Sequence, residues 1–278
     1  MSGGSRSGAP ARPDALDQRQ ERRAETVLIT GASSGIGREL ARIYASDGAR
    51  LVLIARREDK LRQLADELAA VHGTEAEVVP ADLSRPASPR EIVATLEQRH
   101  IDVDVLVNDA GFGAHGRLAQ IGVDHQLEMI QVNVAALTQL TALLLPGMLE
   151  RRHGAVLNVA SVAAFQPDPK QAVYGATKAY VLSLTEALAE ELRGSGVRVS
   201  CLAPGPTETE WGARADMLGT RLFRFGVLDP SRVARAGHEG LRLGKTVVIP
   251  GLSNRILALA VRLSPRFLTA RISGYLQA

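Results

Sequence analysis

The chain has 278 residues, of which 45% are hydrophobic and 23% charged, and its net charge is +3. This length suits one large α/β domain with a single core. The charge excess is mild and lies largely at the two ends, which argues against nucleic-acid binding. The single cysteine, Cys201, excludes an internal disulfide framework and is predicted to be buried. The six histidines have no metal-ligand spacing, so we predict no metal site.

Two segments bear on where in the cell the protein is located. Residues 1–24 are mostly Gly, Ser, Pro, Ala and charged residues, which predicts a disordered N-terminal arm and not a secretory signal. Met129 to Leu149 has no charged residue and is long enough to span a membrane. It contains Gln131, Asn133 and Pro146, however, which lipid disfavours. We therefore predict a buried helix, with a subunit interface as one place for it, in a cytoplasmic protein.

The first predicted strand, Glu25–Thr30, runs directly into a glycine-rich turn that ends at Gly37 and precedes an amphipathic stretch. Strand, glycine turn and helix in this order are typical of a site for the pyrophosphate of a dinucleotide. Glycines allow close backbone approach, and the helix start offers unpaired N–H groups. The alternative is a flexible turn, since the spacing Gly-x-x-x-Gly-x-Gly differs from the commoner Gly-x-Gly-x-x-Gly.

The second predicted strand, Leu51–Ile54, is followed by Ala55, Arg56 and Arg57. Dinucleotide sites that bind NAD carry an acid near this strand end, which holds the ribose 2′-hydroxyl. Two guanidinium groups would instead pair with a 2′-phosphate, which predicts NADP(H) in preference to NAD(H). The alternative is a pair of exposed arginines at a helix start, and the neighbouring Glu58 complicates the choice.

Strands and helices alternate along the rest of the chain, which predicts a parallel sheet with helices on both faces. We therefore expect an α/β fold: a single-domain, Rossmann-like, doubly wound sheet of about seven strands, with ligands at its carboxyl edge. The remaining strands are predicted at 76–81, 103–107, 155–159, 197–202 and 246–249, and the helices after the first at about 59–71, 89–98, 124–149 and around Tyr174 to Leu192.

Tyr174 and Lys178 lie four residues apart in an apolar-periodic segment, so a helix would place both on one face. A neighbouring ammonium lowers the pKa of a phenol and would make it useful for acid–base chemistry. A chance pair on a solvated helix face is the alternative. Asn133 is an amide in an apolar stretch, and either a structural hydrogen bond or a site role explains it.

Taken together, these features resemble the short-chain dehydrogenase/reductase family over about residues 25–251. The motifs occur in the family's order, and Ser161 precedes Tyr174 by 13 residues, as in the family. The chain is similar to bacterial members of unassigned substrate, which are distantly similar to long-chain ketoacyl reductases. The motifs are the turn from Thr30 to Gly37, Asn108 to Gly111, Asn133, Ser161, Tyr174 with Lys178, and Pro204-Gly205.

The resemblance implies a role for each matching residue. Tyr174 would be the general acid or base, and Lys178 would lower its pKa and bind the nicotinamide ribose. Ser161 would orient and polarise a carbonyl group, and Asn133 would hold a water between Lys178 and solvent. The implied cofactor-binding residues are Gly31, Ser33, Ser34, Gly35, Ile36, Gly37, Arg56, Arg57, Asp82, Leu83, Asn108, Ala110, Gly111, Tyr174, Lys178, Pro204, Gly205, Thr207 and Thr209.

Two positions depart from the family pattern. Asp109 stands where the family usually has the second Asn of Asn-Asn-Ala-Gly, and Thr207 stands where a valine is usual. The first position is mainly structural in the family, so the change puts local rigidity in doubt more than activity.

The segment Glu208–Phe225 is predicted to close over the substrate, and it carries Trp211, Met217, Leu222 and Phe223. These apolar residues favour a small lipophilic carbonyl compound or alcohol, although ordinary packing would explain them equally well. The predicted activity is an NADP(H)-dependent oxidoreductase that interconverts a ketone and a secondary alcohol. The alternative is an NADPH-binding regulator or scaffold without turnover.

Residues 252–278 form a basic, amphipathic C-terminal extension to the 25–251 domain. The extension has four arginines and no acid, and Pro265 and Gly274 are expected to break it into short pieces. Packing on its own domain or on a sister subunit is favoured over membrane contact. We expect a homodimer or homotetramer.

Overall fold

Within residues 24–215, 217, 220 and 226–277, which the computed structural model describes, seven parallel strands form one sheet in the order β3-β2-β1-β4-β5-β6-β7. The predicted α/β, doubly wound fold is therefore confirmed, with boundaries shifted by one or two residues. The strands are β1 Thr26–Thr30, β2 Arg50–Ala55, β3 Ala76–Pro80, β4 Val105–Asn108, β5 Gly154–Val159, β6 Val197–Leu202 and β7 Val247–Val248.

Helices cover both faces of the sheet because each strand feeds a crossover. The helices are α1 Gly35–Ser46, α2 Glu58–His72, α3 Ser88–Gln98, α4 Val123–Ile130, α5 Leu137–Glu150, α6 Ala172–Glu191, α7 Glu210–Arg214, α8 Pro230–Arg242, α9 Leu252–Leu263 and α10 Arg266–Leu276. Short 3-10 turns lie at Leu118–Gln120 and Val162–Ala164. Residues 1–23, which hold most of the predicted N-terminal arm, and the loop residues Leu222 and Phe223 lie outside the described part of the chain.

The central strands β1, β4 and β5 are buried along their whole length and largely apolar, because both faces of the sheet are covered. Alternate residues of β1 enter different cores: Val27 and Ile29 pack with residues of α1, α2 and α8, and Leu28 packs with residues of α3 and α5. Cys201 on β6 is buried, as predicted, and burial raises the pKa of its thiol to about 12. The sheet is thus a rigid platform whose carboxyl edge positions the loops.

The long helix predicted at 124–149 differs from a regular α-helix. A π-helical segment, Gln131–Ala136, separates α4 from α5, and it contains Asn133. The stretch Val123–Glu150 is long and apolar enough to cross a membrane by composition alone, which is weak evidence, and only 33% of its most apolar window is buried. The predicted burial is therefore only partial: one side packs on the sheet and α6, while Ile130 and Leu149 are exposed.

The C-terminal extension forms two helices, α9 and α10, joined at Ser264 and Pro265. Pro265 separates them, as expected, because its ring cannot continue a helix. The expected break at Gly274 is wrong, since Gly274 lies inside α10. Both helices reach the carboxyl edge of the sheet, where they wall the cavity described next.

Candidate active site

The glycine-rich turn forms a tight cradle between β1 and α1. Gly31 has φ of +75°, and a Cβ on it would lie 3.0 Å from the backbone nitrogen of Ala110. A Cβ on Gly37 would lie 2.7 Å from a carboxylate oxygen of Asp109. The first turn of α1 has neither a side-chain cap on its N–H groups nor an acidic residue. Its positive dipole end and free donors therefore suit an anionic group.

The two predicted arginines lie beside this cradle in different environments. Arg57 donates to the Oγ of Ser33 at 3.2 Å and is 3.0 Å from a carboxylate oxygen of Glu210. Arg56 is more exposed and lies 4.0 Å from Glu128 across the cavity mouth. Both guanidinium groups can reach an anion held near the cradle, although each has an acid as a competing partner.

Asp82 and Leu83 follow β3 and line the same end of the cavity. Burial acts to raise the pKa of Asp82, but hydrogen bonds from Ser84 and the charges of Arg56 and Arg85 outweigh it, so the net pKa is lowered. Asp82 is therefore ionised at neutral pH. An ionised carboxylate here is a hydrogen-bond acceptor for amino or hydroxyl groups of a bound nucleotide.

Tyr174 and Lys178 lie one turn apart on α6, and both are buried. The Nζ of Lys178 donates to the carbonyl oxygen of Val159 at 2.9 Å and lies 5.7 Å from the centre of the Tyr174 ring. Ser161 follows β5, where its Oγ accepts from the backbone nitrogen of Ala163 at 3.2 Å. All three side chains line one cavity, which brings a phenol, a hydroxyl and an amine to one place.

Burial, and not Lys178, dominates the pKa of Tyr174, and the predicted lowering by Lys178 stays a prediction. Burial raises the pKa of the Tyr174 phenol well above its usual range; a hydrogen bond with Ser161 opposes this, and the carboxylates of Asp168 and Asp109 add to it. Burial also lowers the pKa of Lys178 to about 8, even though Asp109 acts to raise it. At neutral pH Lys178 therefore stays mostly protonated, and the phenol beside it stays neutral.

Asn133 has its whole amide occupied by protein partners. Its Oδ1 accepts from the backbone nitrogen of Phe112 at 3.1 Å, while its Nδ2 donates to the Phe112 carbonyl at 2.9 Å and to Thr177 at 3.1 Å. The side chain therefore ties α6 and the π-helical segment to the loop after β4. It does not present a free donor for the predicted water.

Asn108 also points away from the cavity, in contrast to its predicted cofactor contact. Its Nδ2 donates to Thr141 at 3.1 Å and to Asn158 at 2.9 Å in the buried core. Gly37 and Pro204, like Asn108 and Asn133, are not part of the cavity lining. These four residues support the walls from behind.

The other predicted site residues surround one cavity of about 640 Å³. Sequence reasoning missed part of its wall, namely the loop residues Gln166, Asp168 and Gln171 and much of α9 and α10. The run of polar residues between Ser161 and Tyr174 was a usable signal for the loop. The predicted lining residues that do line it are Gly31, Ser33, Ser34, Gly35, Ile36, Arg56, Arg57, Asp82, Leu83, Ala110, Gly111, Ser161, Tyr174, Lys178, Gly205, Thr207 and Thr209.

Aromatic and apolar groups close the end of the cavity beside Tyr174. The ring of Trp211 lies 5.1 Å from that of Tyr174, and a Cβ on Gly113 would come within 2.7 Å of Trp211. Met217 is fully buried and lines the same wall. A group next to the Tyr174 hydroxyl would therefore meet an apolar surface.

In the described part of the chain, no cluster of three His, Cys, Asp or Glu side chains could hold a metal ion.

Asp109 lies directly beneath the glycine cradle. Thr30 fixes its backbone, because the Oγ1 of Thr30 accepts from the backbone nitrogens of Asp109 and Ala110 at 3.1 Å each. Burial raises the pKa of the Asp109 carboxyl to about 7, while the charge of Lys178 and a hydrogen bond from the backbone of Gly37 act to lower it. The carboxyl thus connects the cradle electrostatically to Lys178.

Comparison with known proteins places this site in a family. The family profile described as short chain dehydrogenase matches residues 25–217. The chain belongs to the short-chain dehydrogenase family. It is 41% identical to a short chain dehydrogenase of Pseudocercospora fijiensis over 70% of this chain and 64% of that protein. It is 34% identical to an uncharacterized oxidoreductase of Staphylococcus aureus strain N315 over 82% of this chain and 95% of that protein.

Solved structures of the family share the fold. A short-chain dehydrogenase from Sphingobium yanoikuyae in complex with NADPH is 35% identical, with a TM-score of 0.78 over 86% of this chain and 93% of that chain. A 7beta-hydroxysteroid dehydrogenase is 29% identical, with a TM-score of 0.81 over 90% and 96%. A family member from Burkholderia phymatum in complex with NAD is 30% identical, with a TM-score of 0.76 over 86% and 92%. The chain is therefore a member of an oxidoreductase family with solved members that bind NADPH or NAD, and its glycine cradle and uncapped α1 fit such a dinucleotide.

The departure of this family member at Asp109 leads to a prediction about pH. The folded-state pKa is about 7 against an ordinary 3.8. A raised pKa means that the carboxyl favours folding most at low pH, and this contribution is lost as pH rises through about 7. Asp109→Asn removes the buried charge, so we expect it to stabilise the protein at pH 8 by up to about 4 kcal/mol and little at pH 4.

Calorimetric melting temperatures of wild type and Asp109→Asn between pH 4 and pH 9 check this expectation. The difference between the two proteins must grow with pH. A constant difference, or one that shrinks as pH rises, would show that the carboxyl is not the group responsible. Asp66→Asn on the exposed side of α2 is the matched control and should show no such trend.

Proposed function

We propose that the protein is an NADP(H)-dependent oxidoreductase that interconverts a ketone and a secondary alcohol. The observation that carries this proposal is the convergence of Tyr174, Ser161 and Lys178 on the cavity that the glycine cradle and the two arginines also line. A protein that only sensed the cofactor would need the cradle and the arginines but not this trio. The regulator or scaffold alternative is therefore disfavoured.

The chain's own groups supply proton transfer and orientation. A phenol whose pKa is raised stays protonated at neutral pH, so Tyr174 can donate its proton to a carbonyl oxygen during reduction. Ser161 hydrogen-bonds the Tyr174 phenol, so its hydroxyl lies beside the proton donor and would orient the same oxygen. Lys178, whose Nζ donates to the Val159 carbonyl, would bind a ribose hydroxyl. The reduced nicotinamide supplies the hydride when bound.

The preference for NADP(H) rests on the absence of an acid at the end of β2 and on the two arginines there. Arg57 is anchored on Ser33 of the cradle, so its guanidinium is already oriented. A 2′-phosphate would meet Arg57 and Arg56 from two sides and displace their exposed carboxylate partners, Glu210 and Glu128.

The substrate class follows from the wall beside Tyr174. Trp211 and Met217 present apolar surface where the reacting carbon would lie. The similar 7beta-hydroxysteroid dehydrogenase acts, by its name, on a bulky apolar alcohol. We therefore propose a lipophilic ketone or alcohol, smaller than or similar in size to a steroid, as the substrate.

We also propose a cytoplasmic homodimer or homotetramer. The family generally forms oligomers, and Val123, Leu127 and Ile130 expose apolar surface on α4. Burying such surface against a second copy removes it from water.

The proposed domain division lies at residue 251. The C-terminal extension completes the cavity of the 25–251 domain.

The activity is tested by following NADPH absorbance with a panel of ketones, from acetone to aryl and alicyclic ketones. We expect consumption of NADPH that increases with the apolar size of the ketone. Tight NADPH binding without consumption across the panel, in both directions of the reaction, would favour the regulator alternative. Consumption with acetone equal to that with the large ketones would contradict the lipophilic substrate class.

A further inference from the structure

The C-terminal helices have an inner side that belongs to the cavity. Leu257 and Val261 of α9 and Ile272 and Leu276 of α10 line it. The end of α10 is attached to the loop before α6, because Asp168 accepts from Ser273 at 2.8 Å and from Gln277 at 2.9 Å. The carbonyl oxygen of Gln277 also accepts from Lys170 at 3.0 Å. The two helices therefore pack on their own domain, over the end of the cavity that holds Tyr174.

The outer side of the same helices is apolar and exposed. Leu252, Ile256, Leu259 and Leu263 follow one another at intervals of four, three and four residues, which places them on one side of α9. Their exposed fractions are 72%, 59%, 59% and 80%. Phe267 near the start of α10 is 67% exposed. Such a contiguous apolar surface on a folded helix pair indicates an interaction site.

The charged side chains of these two helices are all positive. Arg255, Arg262, Arg266 and Arg271 are exposed, and residues 252–278 contain no Asp or Glu. In the part of the chain that the structure describes, none of the four forms a salt bridge. A second copy of the chain packed here about a two-fold axis would bring the same arginines together, which disfavours self-association through this surface.

We propose that the outer side of α9 and α10 docks on an anionic lipid membrane. The apolar side chains enter the interfacial region, and the arginines contact lipid phosphates and carboxylates, as in membrane-surface helices. The sequence alone favoured packing of the extension; the structure shows that packing uses only the inner side. The link to catalysis rests on the proposed function. The same two helices would connect the lipid phase to the cavity, which suits a lipophilic substrate.

The test uses the full chain and sedimented vesicles of phosphatidylcholine, with or without 30% phosphatidylserine. We expect binding to the anionic vesicles that weakens as salt rises. Arg262→Gln with Arg271→Gln should reduce the partition coefficient about 25-fold, since each arginine contributes roughly five-fold. Arg90→Gln with Arg193→Gln removes the same charge from other exposed positions and should leave it unchanged. Equal loss in both double variants, or no vesicle binding by wild type, would overturn the proposal.

A second variant separates membrane docking from self-association and from catalysis. Leu259→Ser with Leu263→Ser should weaken vesicle binding without changing the mass in solution by light scattering. A drop in mass would instead show that a second copy covers this surface, which contradicts the proposal. None of these side chains lines the cavity. NADPH oxidation with a water-soluble ketone should therefore persist in every variant, so failure of docking and failure of the proposed activity are distinguishable.

Discussion

Replacing Tyr174 by Phe should lower kcat for ketone reduction by about 10³-fold, because general acid catalysis contributes 10²- to 10⁴-fold. The substitution removes one hydroxyl and keeps the ring that packs against Trp211. The cradle and the arginines are untouched, so the dissociation constant for NADPH should change by less than about three-fold. Stopped-flow or steady-state absorbance of NADPH measures the first quantity, and titration calorimetry the second.

Tyr180→Phe is the matched control for this experiment. Tyr180 lies on the same helix, after Tyr174 and Lys178. Its hydroxyl contacts that of Thr138 at 3.0 Å, and it does not line the cavity. We expect near-normal turnover in this variant. Loss of activity in both variants, or retained turnover in Tyr174→Phe, would remove Tyr174 from the proposed role.

The raised pKa of Tyr174 also predicts how the rates of reduction and oxidation depend on pH. Because burial keeps the phenol protonated, reduction should proceed fully at neutral pH, while alcohol oxidation, which needs a base, should increase as pH rises. Both pH profiles should disappear in Tyr174→Phe. A reduction rate that rises with pH would show that another group donates the proton.

The second large effect is expected on cofactor choice. Arg57→Ala should weaken NADPH binding by about 10- to 100-fold, because hydrogen bonds to charged groups contribute about 1.5–3 kcal/mol. NADH binding should change little, since it has no 2′-phosphate. Arg56→Ala should act in the same direction but less strongly, as Arg56 is more exposed and has no contact with the cradle comparable to that of Arg57 with Ser33.

Calorimetric titration with both cofactors measures the ratio of NADPH to NADH affinity in each variant. Arg62→Ala is the control, because Arg62 lies on α2, pairs with Glu58 and does not line the cavity. A ratio that stays at the wild-type value in Arg56→Ala and in Arg57→Ala would contradict the 2′-phosphate interpretation. A lowered ratio in Arg62→Ala would show that the effect reflects general charge and not specific contact.

The sheet and the position of the site could be predicted because they depend on local patterns. The apolar runs of β1 and β2 and the glycine turn between β1 and α1 are contiguous in sequence, and four-residue spacing alone placed Tyr174 and Lys178 together. Side-chain orientations that depend on residues distant in sequence could not be predicted. Asn108 turns into the core because Thr141 and Asn158, from other elements, complete its hydrogen bonds.

The pKa of Tyr174 could not be predicted from the sequence for a similar reason. Spacing indicates that Lys178 is near Tyr174, but the pKa of the phenol depends on burial and on Asp109 and Asp168, which come from two loops. The C-terminal extension could be recognised as amphipathic, yet its two-sided character depends on Asp168 fixing the end of α10. Sequence periodicity contains no information about that contact.

The most direct measurement follows deuterium from NADPH labelled at C4 into the product. Each of the two stereospecifically labelled forms is incubated with the protein and the best ketone of the panel, and the alcohol is analysed by mass spectrometry. If hydride moves from a nicotinamide seated beside Tyr174, one labelled form must place a single deuterium on the carbinol carbon, and Tyr174→Phe must suppress it. Unlabelled alcohol from both forms, or no alcohol at all, would contradict the proposed reaction.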